Sequence, residues 1–167
     1  MAVRQESSGT ARYTGAMTAR VLMALALGIL LLAPPVAATA CPPTKPDMLG
    51  PFYTPNAPTR DRTGDGLTIR GAVRSTRDCT AIPAATLEWW SADGRGRYDD
   101  AHRATQRTDG QGEYRYVTDM PGRYPGRPPH VHVKVTAPGH KPLVTQIYPK
   151  PTDRTISFDF VLEPQGR

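Results

Sequence analysis

Beyond residue 40, no stretch of this chain keeps an apolar stripe at helical spacing; its apolar residues come in short runs that alternate with polar ones and stop at proline or glycine. The 18 prolines and 15 glycines among 167 residues interrupt long elements of either kind, because proline withdraws a backbone donor and glycine costs conformational entropy inside an element. Short strands joined by tight turns remain. The pattern predicts six of them: 67–73, 86–91, 113–118 after the Thr108–Gly112 turn cluster, 129–135, 143–148 and 155–162, the last alternating Ile156, Phe158 and Phe160 with polar or smaller neighbours. Strands of this length and spacing predict an all-β fold, a single-domain antiparallel β-sandwich. The polar segment from Ser91 to Asp109 lacks alternation and is predicted to be a long functional loop.

Residues 1–40 stand apart. Arg20 precedes the apolar run Val21–Leu32, which is 12 residues long, where a membrane span needs about 20. Pro34 and Pro35 prevent its extension, and Ala38-Thr39-Ala40 offers a small-residue exit. The reading is a signal peptide over 1–40 cleaved before Cys41, hence a secreted or extracytoplasmic protein; membrane attachment is expected only if Cys41 is lipidated. The remainder divides into an irregular leader, 41–66, and the sandwich, 67–167. The chain has two cysteines, Cys41 and Cys79. In an oxidising compartment they are expected to pair, the alternatives being unpaired thiols or a lipidated Cys41. Residues 41–167 carry 18 Lys and Arg against 14 Asp and Glu, scattered without a basic stripe interleaved with aromatics, so nucleic-acid binding is not expected. No oligomeric state follows from the sequence.

The densest chemistry lies in Tyr124-Pro-Gly-Arg-Pro-Pro-His-Val-His132. Side chains alternate along a strand, so Val131, Val133 and Val135 share the face expected in the core, and His130, His132 and Lys134 share the other. The two imidazoles stand about 7 Å apart along the strand, a spacing that suits convergence on one metal. His-x-His also decorates solvent-facing strands and serves zinc and copper, so alone it does not choose a metal. Tyr98 closes the glycine-broken segment Trp90-Ser-Ala-Asp-Gly-Arg-Gly-Arg-Tyr98, and Tyr124 closes Pro121-Gly-Arg-Tyr124 just ahead of the histidines. His102 and His140 fall outside this constellation and are expected in solvent.

Taken together, these residues resemble the intradiol ring-cleavage dioxygenases, which include the catechol- and protocatechuate-cleaving enzymes. The resemblance rests on Leu49-Gly-Pro-Phe-Tyr53, Trp90 followed eight residues later by Tyr98, Thr108-Asp-Gly110, Pro121-Gly-Arg-Tyr-Pro125, Arg127-Pro-Pro-His-Val-His132 and Thr145-Gln-Ile-Tyr148, in that order along the chain. It implies a non-haem Fe(III) cofactor held by Tyr98, Tyr124, His130 and His132; phenolate oxygens are hard donors suited to a hard ferric ion. An aromatic vicinal diol and O2 are the implied substrates. Tyr124 would be the ligand that gives way to the diol and helps deprotonate it. Arg127 would stabilise negative charge developing on the ring, Gln146 would line the active site, and Tyr53 would border the substrate beside Arg127. The implied product is a muconate-type dicarboxylic acid from cleavage between the hydroxylated carbons, as in aromatic-compound catabolism, with no organic cofactor. No segment matches the helical N-terminal domain of the catechol-cleaving members, and the short loop from Tyr124 to His130 is expected to leave an open pocket. Substrate identity is therefore not carried over. The competing reading is a secreted β-sandwich metal- or ligand-binding module without ring-cleavage activity.

Overall fold

The computed structural model describes residues 41–166; residues 1–40, with the predicted signal segment, and residue 167 lie outside the described residues. Eight strands follow in chain order: β1 (Gly66–Ser75), β2 (Thr86–Ala92), β3 (Tyr98–Arg107), β4 (Glu113–Asp119), β5 (Val131–Thr136), β6 (Leu143–Ile147), β7 (Thr155–Ser157) and β8 (Phe160–Leu162). One sheet runs β4-β1-β7 with β8 also on β1, and the other runs β3-β2-β5-β6. The second is antiparallel throughout. The first is mixed, because β7 and β8 lie parallel to successive halves of β1.

The alternation that predicted these strands also fills the space between the sheets. Leu67, Ile69 and Val73 of β1, Leu87 and Trp89 of β2, Tyr114 and Tyr116 of β4, and Val131, Val133 and Val135 of β5 form one buried cluster with Phe160 and Leu162. Trp89 lies at its aromatic centre, stacked on Tyr116 at 4.6 Å between ring centroids and tilted against Tyr114 and Phe160. The three valines sit in the core as predicted, which turns His130 and His132 to the opposite face of the sheet.

Two of the predicted elements need correction. The segment 91–109 is not a long loop: after the turn at 93–97 it forms the ten-residue edge strand β3, paired with β2 from Thr86↔Arg107 to Ala92↔Tyr98. Its inward residues are His102, Ala104 and Gln106, so the buried face carries no large apolar side chain and gives no hydrophobic period. The Gln106 amide, turned so that its oxygen accepts from Trp89 Nε1 at 2.8 Å, is satisfied inside the sandwich. The single strand predicted over 155–162 is divided into β7 and β8. Between them Asp159 leaves the ladder to accept from Ala72 N at 2.8 Å and from Arg74 Nε at 2.8 Å.

Before β1 the leader forms only isolated bridges, but it is fastened along its length. Thr59 bridges to Thr105 and Arg62 to Val117, one contact on each sheet. Asp47 N donates to Val144 O at 2.9 Å, and Thr44 N to Val161 O at 3.0 Å. Cys41 is joined to Cys79 by a disulfide spanning 38 positions. A closed loop of this size stabilises a fold by about 4 kcal/mol, chiefly by constraining the unfolded chain.

His102 is not in solvent. It is 8% exposed, with Nδ1 2.6 Å from Asp99 and Nε2 3.0 Å from Asp119, so it links β3 to the end of β4. Burial opposes its charge, but the hydrogen bonds to Asp119 and Asp99 outweigh that and raise its pKa above 6.5. A folded-state pKa above the unfolded one contributes stability that is complete below the unfolded value and fades as pH rises through the folded value. The urea midpoint should therefore decline with rising pH above about 6.5. His102→Gln should flatten that decline and cost about 1–2 kcal/mol at pH 6, allowing for the half-exposed carboxylates. A wild-type profile flat from pH 6 to about 9, or unchanged by the substitution, would remove the charged bridge from the account. His140, also expected in solvent, is half-buried, its Nε2 3.2 Å from Ser75 Oγ.

Candidate metal centre

The register of β5 builds the site. His132 pairs with Trp90 of β2 on one side and Gln146 of β6 on the other. Directly opposed residues project to one face, so the three stand together on the face away from the core. Trp90 stacks on the His132 ring at 4.8 Å and 9°. Adjacent tryptophans thus serve opposite faces, Trp89 the core and Trp90 the site.

His130 lies one residue before β5. Its Nδ1 is 2.8 Å from Pro128 O; a carbonyl can only accept, so Nδ1 carries the proton and Nε2 is left as a lone pair. That Nε2 lies 3.0 Å from His132 Nε2, 3.3 Å from Tyr98 Oη and 3.3 Å from Tyr124 Oη. Two nitrogens and two phenol oxygens therefore converge around one point. Both histidines are 2% exposed. Burial, then the neighbouring His130, lowers the His132 pKa to about 3. Burial likewise lowers that of His130, with Arg127 acting in the same direction. Burial and the adjacent Tyr124 hydroxyl push the Tyr98 phenol well above its usual range.

Two buried, uncharged imidazoles face each other across a gap closed by two phenols, with no carboxylate among them. Such a set suits a hard cation, which supplies the charge that burial denies to the protein groups and deprotonates the phenols by direct attraction. Among the described residues no group of three or more His, Cys, Asp or Glu is placed to hold a metal, so a metal here needs the tyrosines. The nearby acids are committed elsewhere. Asp93 holds Arg97 at 2.9 Å, Asp99 holds His102, and Asp100 pairs with Arg103.

Tyr98 and Tyr124 come from separate segments that interlock. Asp93 accepts from Arg95 N at 2.9 Å and Arg97 N at 2.8 Å, closing the turn that presents Tyr98. Its own carbonyl accepts from Gly122 N at 2.9 Å. A Cβ on Gly122 would come within 2.5 Å of Gly94 O and Gly96 N, so only glycine lets the loop carrying Tyr124 seat against that turn.

The leader closes the site from above. Met48 O accepts from Gln146 Nε2 at 2.7 Å, Phe52 stacks on Tyr98 at 4.2 Å, and Gly50 crosses His132. Gly50 has φ +72°, and a Cβ there would stand 3.0 Å from His132 Cε1. Gly50→Ala should strain the left-handed backbone by about 1 kcal/mol and press on the His132 ring. Loss of an orienting contact typically weakens metal affinity by about 10-fold or more. A chelator titration of purified protein measures this, and unchanged metal retention would show that the leader does not set the His132 position.

A cleft of about 290 Å³ opens onto these groups, lined by Met48, Gly50, Pro51 and Phe52 together with Tyr124, Arg127, His130, His132 and Gln146. Arg127 donates to Gln146 Oε1 at 2.5 Å and to Tyr148 Oη at 3.3 Å. A larger depression of about 520 Å³ beside β3 and β4 contains none of the predicted site residues, so the assignment rests on donor convergence rather than size. The structure brings Tyr98, Tyr124, His130 and His132 together and puts Arg127 and Gln146 in the cleft. It does not put Tyr53 there: the Tyr53 hydroxyl lies 3.0 Å from Glu88 and 2.9 Å from Lys134 Nζ, with its ring against Trp90. The neighbouring Phe52 takes the place expected for it. Phe52, Trp90 and Gly50 went unforeseen. Trp90 was accessible from its alternation with Trp89; no period in the leader distinguishes Phe52 from Tyr53.

No family model matches the chain. It is 28% identical over 156 residues to an intradiol ring-cleavage dioxygenase of Aspergillus niger, covering 71% of this chain and 49% of that protein. It is 31% identical over 139 residues to a chlorocatechol 1,2-dioxygenase of Pseudomonas sp. strain P51, covering 63% of this chain and 55% of the relative. The chain thus spans about half the length of these curated relatives. Among solved structures, it is similar to the dioxygenase domain of a dioxygenase–carbohydrate-binding protein fusion from Streptomyces sp. SirexAA-E. That match has 33% identity and a TM-score of 0.68, and covers 74% of this chain and 100% of that one.

Proposed function

The chain belongs to the intradiol ring-cleavage dioxygenases, and from that premise we propose that it cleaves a catechol-type vicinal diol between its two hydroxylated carbons, with ferric iron held by Tyr98, Tyr124, His130 and His132. The observation that carries this reading is the convergence of the Tyr98 and Tyr124 oxygens and the His132 nitrogen to within 3.0–3.3 Å of the His130 nitrogen, at the base of the cleft. Bound there, ferric iron would withdraw electron density from the diol oxygens and make the ring reactive toward O2, giving a muconate-type dicarboxylic acid.

The chain's own residues divide the remaining work. Tyr124 lines the cleft, whereas Tyr98 is covered by Phe52. Tyr124, as its phenolate, is therefore the group positioned to take a proton from the entering diol, and Tyr98 the one shielded from it. His130 is held by Pro128 O and His132 by the Trp90 stack, so neither ring needs to reorient. The Arg127 guanidinium, fixed by Gln146 and Tyr148, places a permanent positive charge where negative charge builds on the ring; a preorganised charge costs no reorganisation during reaction. The Met48–Phe52 segment excludes water from one side of the cleft.

We also place the protein outside the cytoplasm. The predicted signal segment and the Cys41–Cys79 disulfide support that location, since disulfides persist in oxidising compartments.

The metal assignment is tested by expressing the protein with iron supplied, then measuring iron content and the visible spectrum. A phenolate bound to iron(III) absorbs in the visible. Tyr98→Phe and Tyr124→Phe should each alter or remove that band with the fold intact. Iron-free, colourless protein would favour the binding-module reading instead.

A further inference from the structure

The four large hydrophobic side chains exposed among the described residues are Met48, Leu49, Phe52 and Tyr148, at 57%, 40%, 45% and 45%. They are not scattered. Met48 and Phe52 line the cleft directly, and Leu49 lies between them in the chain. Tyr148 faces the His130 ring at 5.9 Å and bonds to Arg127. Among the described residues, the large exposed apolar side chains Met48, Phe52 and Tyr148 therefore gather at the mouth of one cleft. Such concentration marks a binding surface, because isolated exposed apolar residues need no explanation but contiguous ones do.

The interior of the cleft has the same character. Arg127 is the single formally charged side chain lining it apart from the histidines, and its guanidinium is engaged by Gln146 Oε1 at 2.5 Å. On the rim, Asp47 accepts from Tyr148 at 2.8 Å and keeps a negative charge there. A volume of about 290 Å³ lies at the small end of ligand pockets, about 300–1,000 Å³. It accommodates one ring, and any substituent on that ring must leave through the mouth, over the apolar rim.

We propose that the cleft takes a vicinal diol bearing an uncharged, apolar substituent, with the ring at the four donor groups and the substituent lying on Met48, Phe52 and Tyr148. This rests on the catechol-type reading above and narrows it. A carboxylate leaving through the mouth would meet apolar side chains and the Asp47 charge, while the Arg127 guanidinium is held inside the cleft by Gln146 and Tyr148. An alkyl or aryl group would cover surface that is now in water.

The test compares catechol, 4-butylcatechol and 3,4-dihydroxybenzoate, measured by oxygen uptake and by calorimetric binding. 4-Butylcatechol is expected to exceed 3,4-dihydroxybenzoate at least about tenfold in kcat/KM and in affinity, the scale of a few partly buried methylenes. In Met48→Ser, which leaves the core untouched because Met48 is 57% exposed and which alters the cleft lining directly, the butylcatechol-to-catechol ratio should fall several-fold. Equal or better handling of the carboxylated diol, or a ratio that Met48→Ser does not move, would overturn the proposal. Protein that binds butylcatechol preferentially and turns over none of the three would contradict the activity reading while supporting this one.

Discussion

His132→Ala is expected to yield folded protein that keeps little iron and loses at least about a hundredfold in turnover. Changing even an outer partner of a metal ligand costs about 10–100-fold, and this substitution deletes one of the four proposed donors. His132 is central to the arrangement: Trp90 stacks on it, Gly50 crosses it, and its Nε2 is 3.0 Å from that of His130. The fold should survive, since the imidazole lies on the face of the second sheet turned away from the core cluster, to which Val131, Val133 and Val135 contribute. His130→Ala should behave alike. Iron per chain by elemental analysis, alongside the unfolding midpoint, separates loss of site from loss of fold. Full iron and turnover in either variant would remove that histidine from the metal centre.

The second large effect falls on stability. Trp89→Ala should lower the unfolding free energy by about 3–5 kcal/mol, the cost of emptying a fully buried aromatic position. Trp89 is 1% exposed and contacts Tyr114, Tyr116 and Phe160, which belong to β4 and β8 of the opposite sheet. Its Nε1 also reaches the Gln106 oxygen, so alanine orphans a buried amide as well as opening a cavity. A domain whose total stability is about 5–15 kcal/mol cannot lose this much without a marked fall in urea midpoint. A loss below about 1 kcal/mol would mean that the two sheets are not held together through this residue.

Strand alternation made much of this legible in advance. Val131-His132-Val133 carries both instructions at once, a core face and a site face, and the adjacent pair Trp89-Trp90 repeats it one strand away. The sandwich and the convergence of the histidines follow from that local period. The unread parts are those where a polar or irregular segment is fixed by distant partners. β3 buries His102, Ala104 and Gln106, and those residues earn a place inside only because Asp119, Trp89 and β2 are there to receive them. His102 therefore read as a solvated histidine until Asp99 and Asp119 were seen on either side of it. In the leader, the choice of Phe52 over Tyr53 for the cleft depends on Glu88 and Lys134 drawing the Tyr53 hydroxyl away, contacts more than thirty residues distant that no local pattern encodes. The break between β7 and β8 arises in the same way, from Asp159 capturing Ala72 N and Arg74.

The central claim is the cleavage mode, and product analysis under labelled oxygen tests it most directly. Iron-loaded protein incubated with catechol and with 4-butylcatechol under 18O2 should form the corresponding muconate-type dicarboxylic acid, with one labelled oxygen in each new carboxylate and one O2 consumed per diol. A yellow semialdehyde, formed by opening the ring beside rather than between the hydroxylated carbons, or a quinone carrying no label, would contradict it.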